Sequence, residues 1–129
     1  MITIRQTYYI KASPADVWQA LTNVKDIESW SAAPARMDDR NGTEFSLWSG
    51  NVWGRNIRVI PQKQLMQEWY SVEDKPWEKP SIVNFILCSD GKGTKVDLLQ
   101  TNVPDEYARG ISQGWGEYYL GALRDYLEH

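Results

Sequence analysis

From Thr3 to Lys11 the chain interleaves β-branched and aromatic side chains with polar ones (Ile4, Thr7, Tyr8, Tyr9, Ile10), the make-up of a half-buried strand. Ser13-Pro14-Ala15-Asp16 then starts a helix. Ser13 can cap it, proline suits its first turn, and Asp16 stands three places after the cap. Val17, Trp18 and Leu21 give that helix one apolar face, Asn23 interrupts it, and residues 26–30 predict a second short helix ending in Trp30. Past Pro34 the period changes. Extended segments over residues 43–48, 52–60, 65–72, 81–88 and 94–101 are divided by turn chemistry at Asn41-Gly42, Ser49-Gly50-Asn51 and Ser89-Asp90-Gly91-Lys92-Gly93. Residues 35–40 add an edge-strand candidate. Consecutive strands joined by short turns predict an antiparallel meander.

Pro104-Asp105-Glu106 opens a long C-terminal helix with acidic residues in its first turn. At 100° per residue, Ala108, Ile111, Trp115, Tyr118, Tyr119, Ala122 and Tyr126 share one stripe. Burial is therefore expected along Ile111, Trp115, Tyr119, Ala122 and Tyr126. Glu106, Glu117, Arg124 and Glu128 lie opposite, and Gly110, Gly114 and Gly121 fall on that outward side. Each glycine costs a helix roughly 0.8 to 1 kcal/mol relative to alanine. The three are either tolerated or mark a smooth surface that another backbone approaches.

Composition narrows the chemistry. The 129 residues suit one domain, taken as 1–126, with Leu127-Glu128-His129 reading as the remnant of an expression tag. No apolar run nears the ~18 residues of a membrane span, and the first residues lack a signal-peptide layout. One cysteine, Cys88, makes no internal disulfide, so a cytoplasmic location is the default. A net charge of −3 without a basic run argues against nucleic acid. The only histidine is His129, which removes a histidine base, a Ser-His-Asp arrangement and histidine metal sites. Neither a metal nor a cofactor is expected, nor a catalytic residue. Asp38-Asp39, Asp26, Glu28 and Asp97 are read as solvated charges, Arg55 as facing outward, and Cys88 as a packed thiol.

Seven tryptophans are the strongest compositional signal. Rings of this size do not readily fill a small core densely. The C-terminal Trp115, Tyr118 and Tyr119 face a sheet whose inner positions, by alternation, include Phe45, Leu47, Leu65, Trp69, Phe85, Val96 and Leu98. This leaves two outcomes open, an ordinary bulky core or an aromatic-lined cavity. Gln67 and Gln100 share the inner parity and would form its polar corner. Candidate ligand-lining residues are thus Trp18, Trp30, Phe45, Leu47, Gln67, Trp69, Phe85, Leu98, Gln100, Trp115, Tyr118 and Tyr119. Trp77, framed by Pro76 and Pro80 in a charged segment, is expected as a lid or a partner contact near the cavity mouth.

The order of elements reaches particular residues: Ala12-Ser13-Pro14 with Val17-Trp18 and Leu21, Ile27-Glu28-Ser29-Trp30-Ser31, and Glu44-Phe45-Ser46-Leu47-Trp48 before Gly50-Asn51-Val52 and Gly54. Pro61-Gln62-Lys63 precedes Trp69. Gly93-Thr94, Leu98, Gln100 and Val103-Pro104 close the sheet, and Gly114-Trp115 with Tyr118-Tyr119 marks the helix. In this order and spacing, over nearly the whole chain, the sequence resembles the C-terminal-domain type of the heat-shock protein 90 ATPase activator homologue family, within the START-like helix-grip superfamily. The resemblance implies an α+β fold. A curved antiparallel sheet of six to seven strands wraps around a long C-terminal helix, with two short helices between strands 1 and 2. Where the family carries a tryptophan–arginine pair, this chain has Trp69-Tyr70 after Glu68. Three functions follow as expectations: binding of a small hydrophobic or amphipathic molecule between sheet and helix, a co-chaperone-like contact with a heat-shock chaperone, or cyclase-type catalysis, which the missing histidines disfavour.

Overall fold

The structure, a computed structural model, describes residues 1–71 and 80–128. Its elements run β1 (Ile2–Ile10), α1 (Pro14–Thr22), α2 (Val24–Ser31), β2 (Glu44–Leu47), β3 (Val52–Ile60), β4 (Gln64–Ser71), β5 (Ser81–Asp90), β6 (Gly93–Val103), α3 (Asp105–Gly114), a π-helical turn (Trp115–Tyr119) and α4 (Leu120–Glu128). The strands form one antiparallel sheet in the order β1-β6-β5-β4-β3-β2. The C-terminal helix lies against it, in the helix-grip arrangement. Among the described residues, no helix is long and apolar enough to cross a membrane.

Local chemistry accounts for the helical starts. The Ser13 side chain accepts the Asp16 N–H at 3.2 Å, and Asn23, which ends α1, caps α2 by accepting the Asp26 N–H at 3.2 Å. Residues 35–40 do not form the expected edge strand; only an Arg36–Ser46 bridge flanks β2. The Asp38 carboxylate turns the chain by accepting the Arg40 N–H and the Thr43 hydroxyl, which stops the ladder.

β3 contains a bulge between Asn56 and Arg58. Before it Trp53 and Arg55 face outward; after it Val59, of the same parity, packs toward the core. One extra residue exchanges the faces of a strand. Arg55 is outward as expected and pairs with Glu68 at 3.3 Å. Cys88 is exposed, contrary to the packed thiol expected, because it shares the outer parity with Ile86.

The C-terminal helix departs most from its sequence pattern. The Leu120 N–H donates to the Trp115 carbonyl five residues back, so the π turn inserts one residue. Beyond it Leu120, Gly121 and Leu123 are buried, Ala122 and Leu127 pack against the core half-buried, and Tyr126 does not follow the expected stripe. Tyr126 is 40% exposed and donates to the Asp26 carboxylate at 2.6 Å. That bond stabilises its protonated phenol and raises the pKa above the usual tyrosine range. Gly121 points inward: a Cβ there would run into the Gly116 carbonyl oxygen. Glu128 accepts the Lys11 N–H at 3.0 Å, closing the helix end onto β1.

Candidate functional site

A cleft of about 620 Å³ opens between the first half of the C-terminal helix and one end of the sheet. Its sheet side is built from Trp48, Asn51 and Val52 around the β2–β3 turn, Trp69-Tyr70-Ser71 at the end of β4, Ser81 at the start of β5, and Gln100 on β6. The helix side is Glu106, Tyr107, Gly110, Ile111 and Gly114 from α3, with Trp115, Tyr118 and Tyr119 from the π turn.

Two glutamine–tryptophan pairs hold its inner wall. The Trp115 indole N–H donates to Gln100 Oε1 at 2.9 Å, and Gln100 Nε2 donates to the Ser81 hydroxyl at 3.0 Å. The Trp69 indole N–H donates to Gln67 Oε1 at 2.8 Å, and Gln67 Nε2 donates to Asn56 Oδ1 at 2.8 Å. Asn56 in turn donates to the Asp38 and Arg40 carbonyls. Both buried glutamines are therefore satisfied, as a buried amide must be. The rings interlock, with Trp115 and Tyr119 at 4.8 Å, Trp69 and Trp115 at 5.1 Å, and Phe85 and Tyr119 at 5.6 Å between centroids.

Trp115 and Tyr119, at the two ends of the π turn, share its buried face. Tyr118 is 62% exposed and edges the cleft. Gln6 Nε2 on β1 donates to the Ser112 carbonyl at 2.9 Å and Tyr8 donates to Gln6 at 2.6 Å, seating the helix on β1. Tyr119 is fully enclosed, and its hydroxyl is the buried side-chain polar atom without a hydrogen-bond partner among the described residues. Burial pushes its pKa far above the usual tyrosine range.

Of the residues expected to line a cavity, Trp69, Gln100, Trp115, Tyr118 and Tyr119 do border the cleft. Trp18, Trp30, Phe45, Leu47, Gln67, Phe85 and Leu98 sit instead in the core behind it. Trp30 packs on Tyr119 at 4.8 Å and donates its indole N–H to the Ala20 carbonyl. Trp77 lies outside the described residues. Sequence reasoning missed Trp48, whose backbone is left-handed (φ 49) and whose ring meets Tyr119 edge-on at 5.9 Å. A non-glycine residue in that region costs about 1 to 2 kcal/mol, and such strain collects at binding sites. Gly110 is exposed, as expected of the outward side, and Gly114 is half-buried; both border the cleft, where the missing side chains leave it open.

Among the described residues no cluster of histidine, cysteine or carboxylates could hold a metal ion. The Asp38 carboxyl is held below the usual carboxylate range, chiefly by the Thr43 hydroxyl, which makes it a turn anchor.

A sequence model of the family described as "Activator of Hsp90 ATPase homolog 1-like protein" matches residues 11–128. The chain is 24% identical over 125 residues to an "Activator of 90 kDa heat shock protein ATPase homolog" of Dictyostelium discoideum, covering 95% of this chain and 32% of that protein. It is 23% identical to the human "Activator of 90 kDa heat shock protein ATPase homolog 1", covering 95% of this chain and 36% of that one. The chain thus spans about a third of the length of these curated relatives. Among solved structures, an HSP90 activator from Plasmodium falciparum superposes with a TM-score of 0.89 at 21% identity, covering 99% of this chain and 97% of that one.

Proposed function

Because the chain belongs to the activator of Hsp90 ATPase homolog 1-like family, we propose that it is a binding domain of that family whose cleft takes a small, largely apolar molecule. The carrying observation is the cleft itself: about 620 Å³, walled by three tryptophans and four tyrosines, with glycines where side chains would close it. Ligand sites range over roughly 300 to 1,000 Å³ and are mostly apolar with a few placed polar groups. Its glutamines serve the indoles, so the wall is rigid before any ligand arrives, and this lowers the ordering cost of binding.

The test fills the cleft without disturbing the core. A Cβ at Gly110 meets nothing within 4 Å, and one at Gly114 meets only the Tyr118 ring at 3.9 Å. A Gly110→Phe/Gly114→Phe double variant should fold at least as well as the parent. It should lose the fluorescence enhancement of the neutral apolar probe N-phenyl-1-naphthylamine, and native mass spectrometry should find no retained molecule in it. Equal probe binding by parent and filled variant would refute the reading.

A second reading, contact with a heat-shock protein 90 chaperone, is favoured by the relatives, which are activators of the 90 kDa heat shock protein ATPase. It predicts a change in that chaperone's ATPase rate on adding this domain, and an unchanged rate at saturating domain sinks it.

A further inference from the structure

We propose that the cleft selects an amphipathic organic cation, with a substituted ammonium head among the aromatic faces and Glu106 as its counter-charge; this rests on the reading of the cleft as a binding site. Three observations on its lining converge. First, the only ionisable group of fixed charge on the described lining is the Glu106 carboxylate, which has no ion pair among the described residues; no lysine or arginine lines the cleft there. Second, three donors of the inner wall are turned away from the cleft. The indole N–H groups of Trp69 and Trp115 are committed to Gln67 and Gln100, and Gln100 Nε2 reaches Ser81. The rings therefore offer their π surfaces, which carry the negative part of the aromatic quadrupole and attract ammonium groups. Third, the positive end of the α3 dipole is offset by Asp105 and Glu106 in its first turn. Asp105 is already paired with the Met1 ammonium at 2.9 Å, which leaves Glu106 as the carboxylate at the cleft.

The test holds shape constant and varies charge. Benzyltrimethylammonium, its neutral carbon isostere neopentylbenzene, and phenylmethanesulfonate carry the same benzyl group with tetrahedral heads of charge plus one, zero and minus one. Binding is read by quenching or shift of tryptophan fluorescence and by the indole N–H signals of Trp69 and Trp115. The cation should bind about tenfold tighter than the neutral isostere, and the sulfonate weakest. Glu106→Gln should reduce the cation's advantage severalfold and leave the neutral isostere unchanged; Glu106 is exposed, so folding is not at issue. If neopentylbenzene binds as well as the cation, or if the sulfonate binds best, the charge inference is overturned while the cleft stands as a binding site. If none of the three perturbs either indole signal and N-phenyl-1-naphthylamine also fails, both readings fall.

Discussion

One helix offers two glycines whose replacement by alanine should move stability in opposite directions. Gly110 lies inside α3 and a Cβ there contacts nothing. Gly110→Ala should therefore realise the intrinsic helix gain of about 0.8 to 1 kcal/mol. The unfolding entropy of about 2.1 cal/mol/K per residue, over 129 residues, converts this to a rise in Tm of roughly 3 to 4 °C. Gly121 lies just beyond the π turn, where a Cβ would meet the Gly116 carbonyl oxygen. That oxygen is backbone and cannot rotate aside. The turn would have to open, disturbing the seats of Trp115 and Tyr119. Overpacking of this kind costs about 1 to 3 kcal/mol, so Gly121→Ala should lower Tm by roughly 4 to 11 °C. Thermal unfolding followed by circular dichroism gives both values under one set of conditions. A regular α-helix places Gly121 outward and predicts stabilisation at both sites. A Tm increase for Gly121→Ala would therefore refute the π turn and the burial pattern that depends on it.

Removing the unpartnered hydroxyl with Tyr119→Phe should leave stability at pH 7 unchanged or raise it by about 1 to 2 kcal/mol, since a buried unpaired polar group is unfavourable; a loss above 1 kcal/mol in urea titration would show that the hydroxyl has a partner. The same variant carries a pH signature. The folded state holds the Tyr119 proton far above the pH near 10 at which an unfolded tyrosine releases it, so stability is full below pH 10 and falls as pH rises, by up to about 1.4 kcal/mol per pH unit. Denaturation series at pH 10 to 11.5 should show a shallower decline for Tyr119→Phe than for the parent. Gln67→Leu strands two buried groups, the Trp69 indole N–H and Asn56 Oδ1, and should cost about 2 to 5 kcal/mol in the same assay; a loss below 1 kcal/mol would mean that neither group depends on Gln67.

The sheet and the short helices were legible because their signals are local. Ser13 and Asn23 cap as their residue types require, the turn signals at residues 49–51 and 89–93 separate real strands, and alternation put Phe45, Leu47, Leu65, Phe85, Val96 and Leu98 on the buried face. Two single-residue insertions break the periodic patterns that sequence reading relies on. The bulge in β3 exchanges faces within one strand, so Trp53 and Val59 share a parity but not a face. The π turn does the same for the helix. Its trace in the sequence was faint but present: Leu120 and Leu123 fell outside the 100° stripe, an odd position for two leucines. The cleft was harder to place, because its lining depends on where helix and sheet part company. That is a tertiary property of Gly110, Gly114 and the left-handed turn at Trp48, with no periodic signature of its own.

The position of β1 at the edge of the sheet sets the order in which the domain can assemble. Strands β2 to β6 follow one another as neighbours, each pairing with the next along the chain. Among the described strands β1 pairs with β6 alone, through contacts such as Ile4 with Gln100. That pairing closes a loop of nearly the whole domain, and loop-closure entropy must be met before those contacts repay it. The first strand of the domain is thus the last the sheet can receive. Until β6 exists, β1 has no partner strand, and Gln6 and Tyr8 have no helix to seat. The meander, in turn, keeps an open edge along β6 for as long as β1 is undocked. A synthetic peptide of the β1 sequence has a defined berth there, and a chain beginning after β1 should capture it.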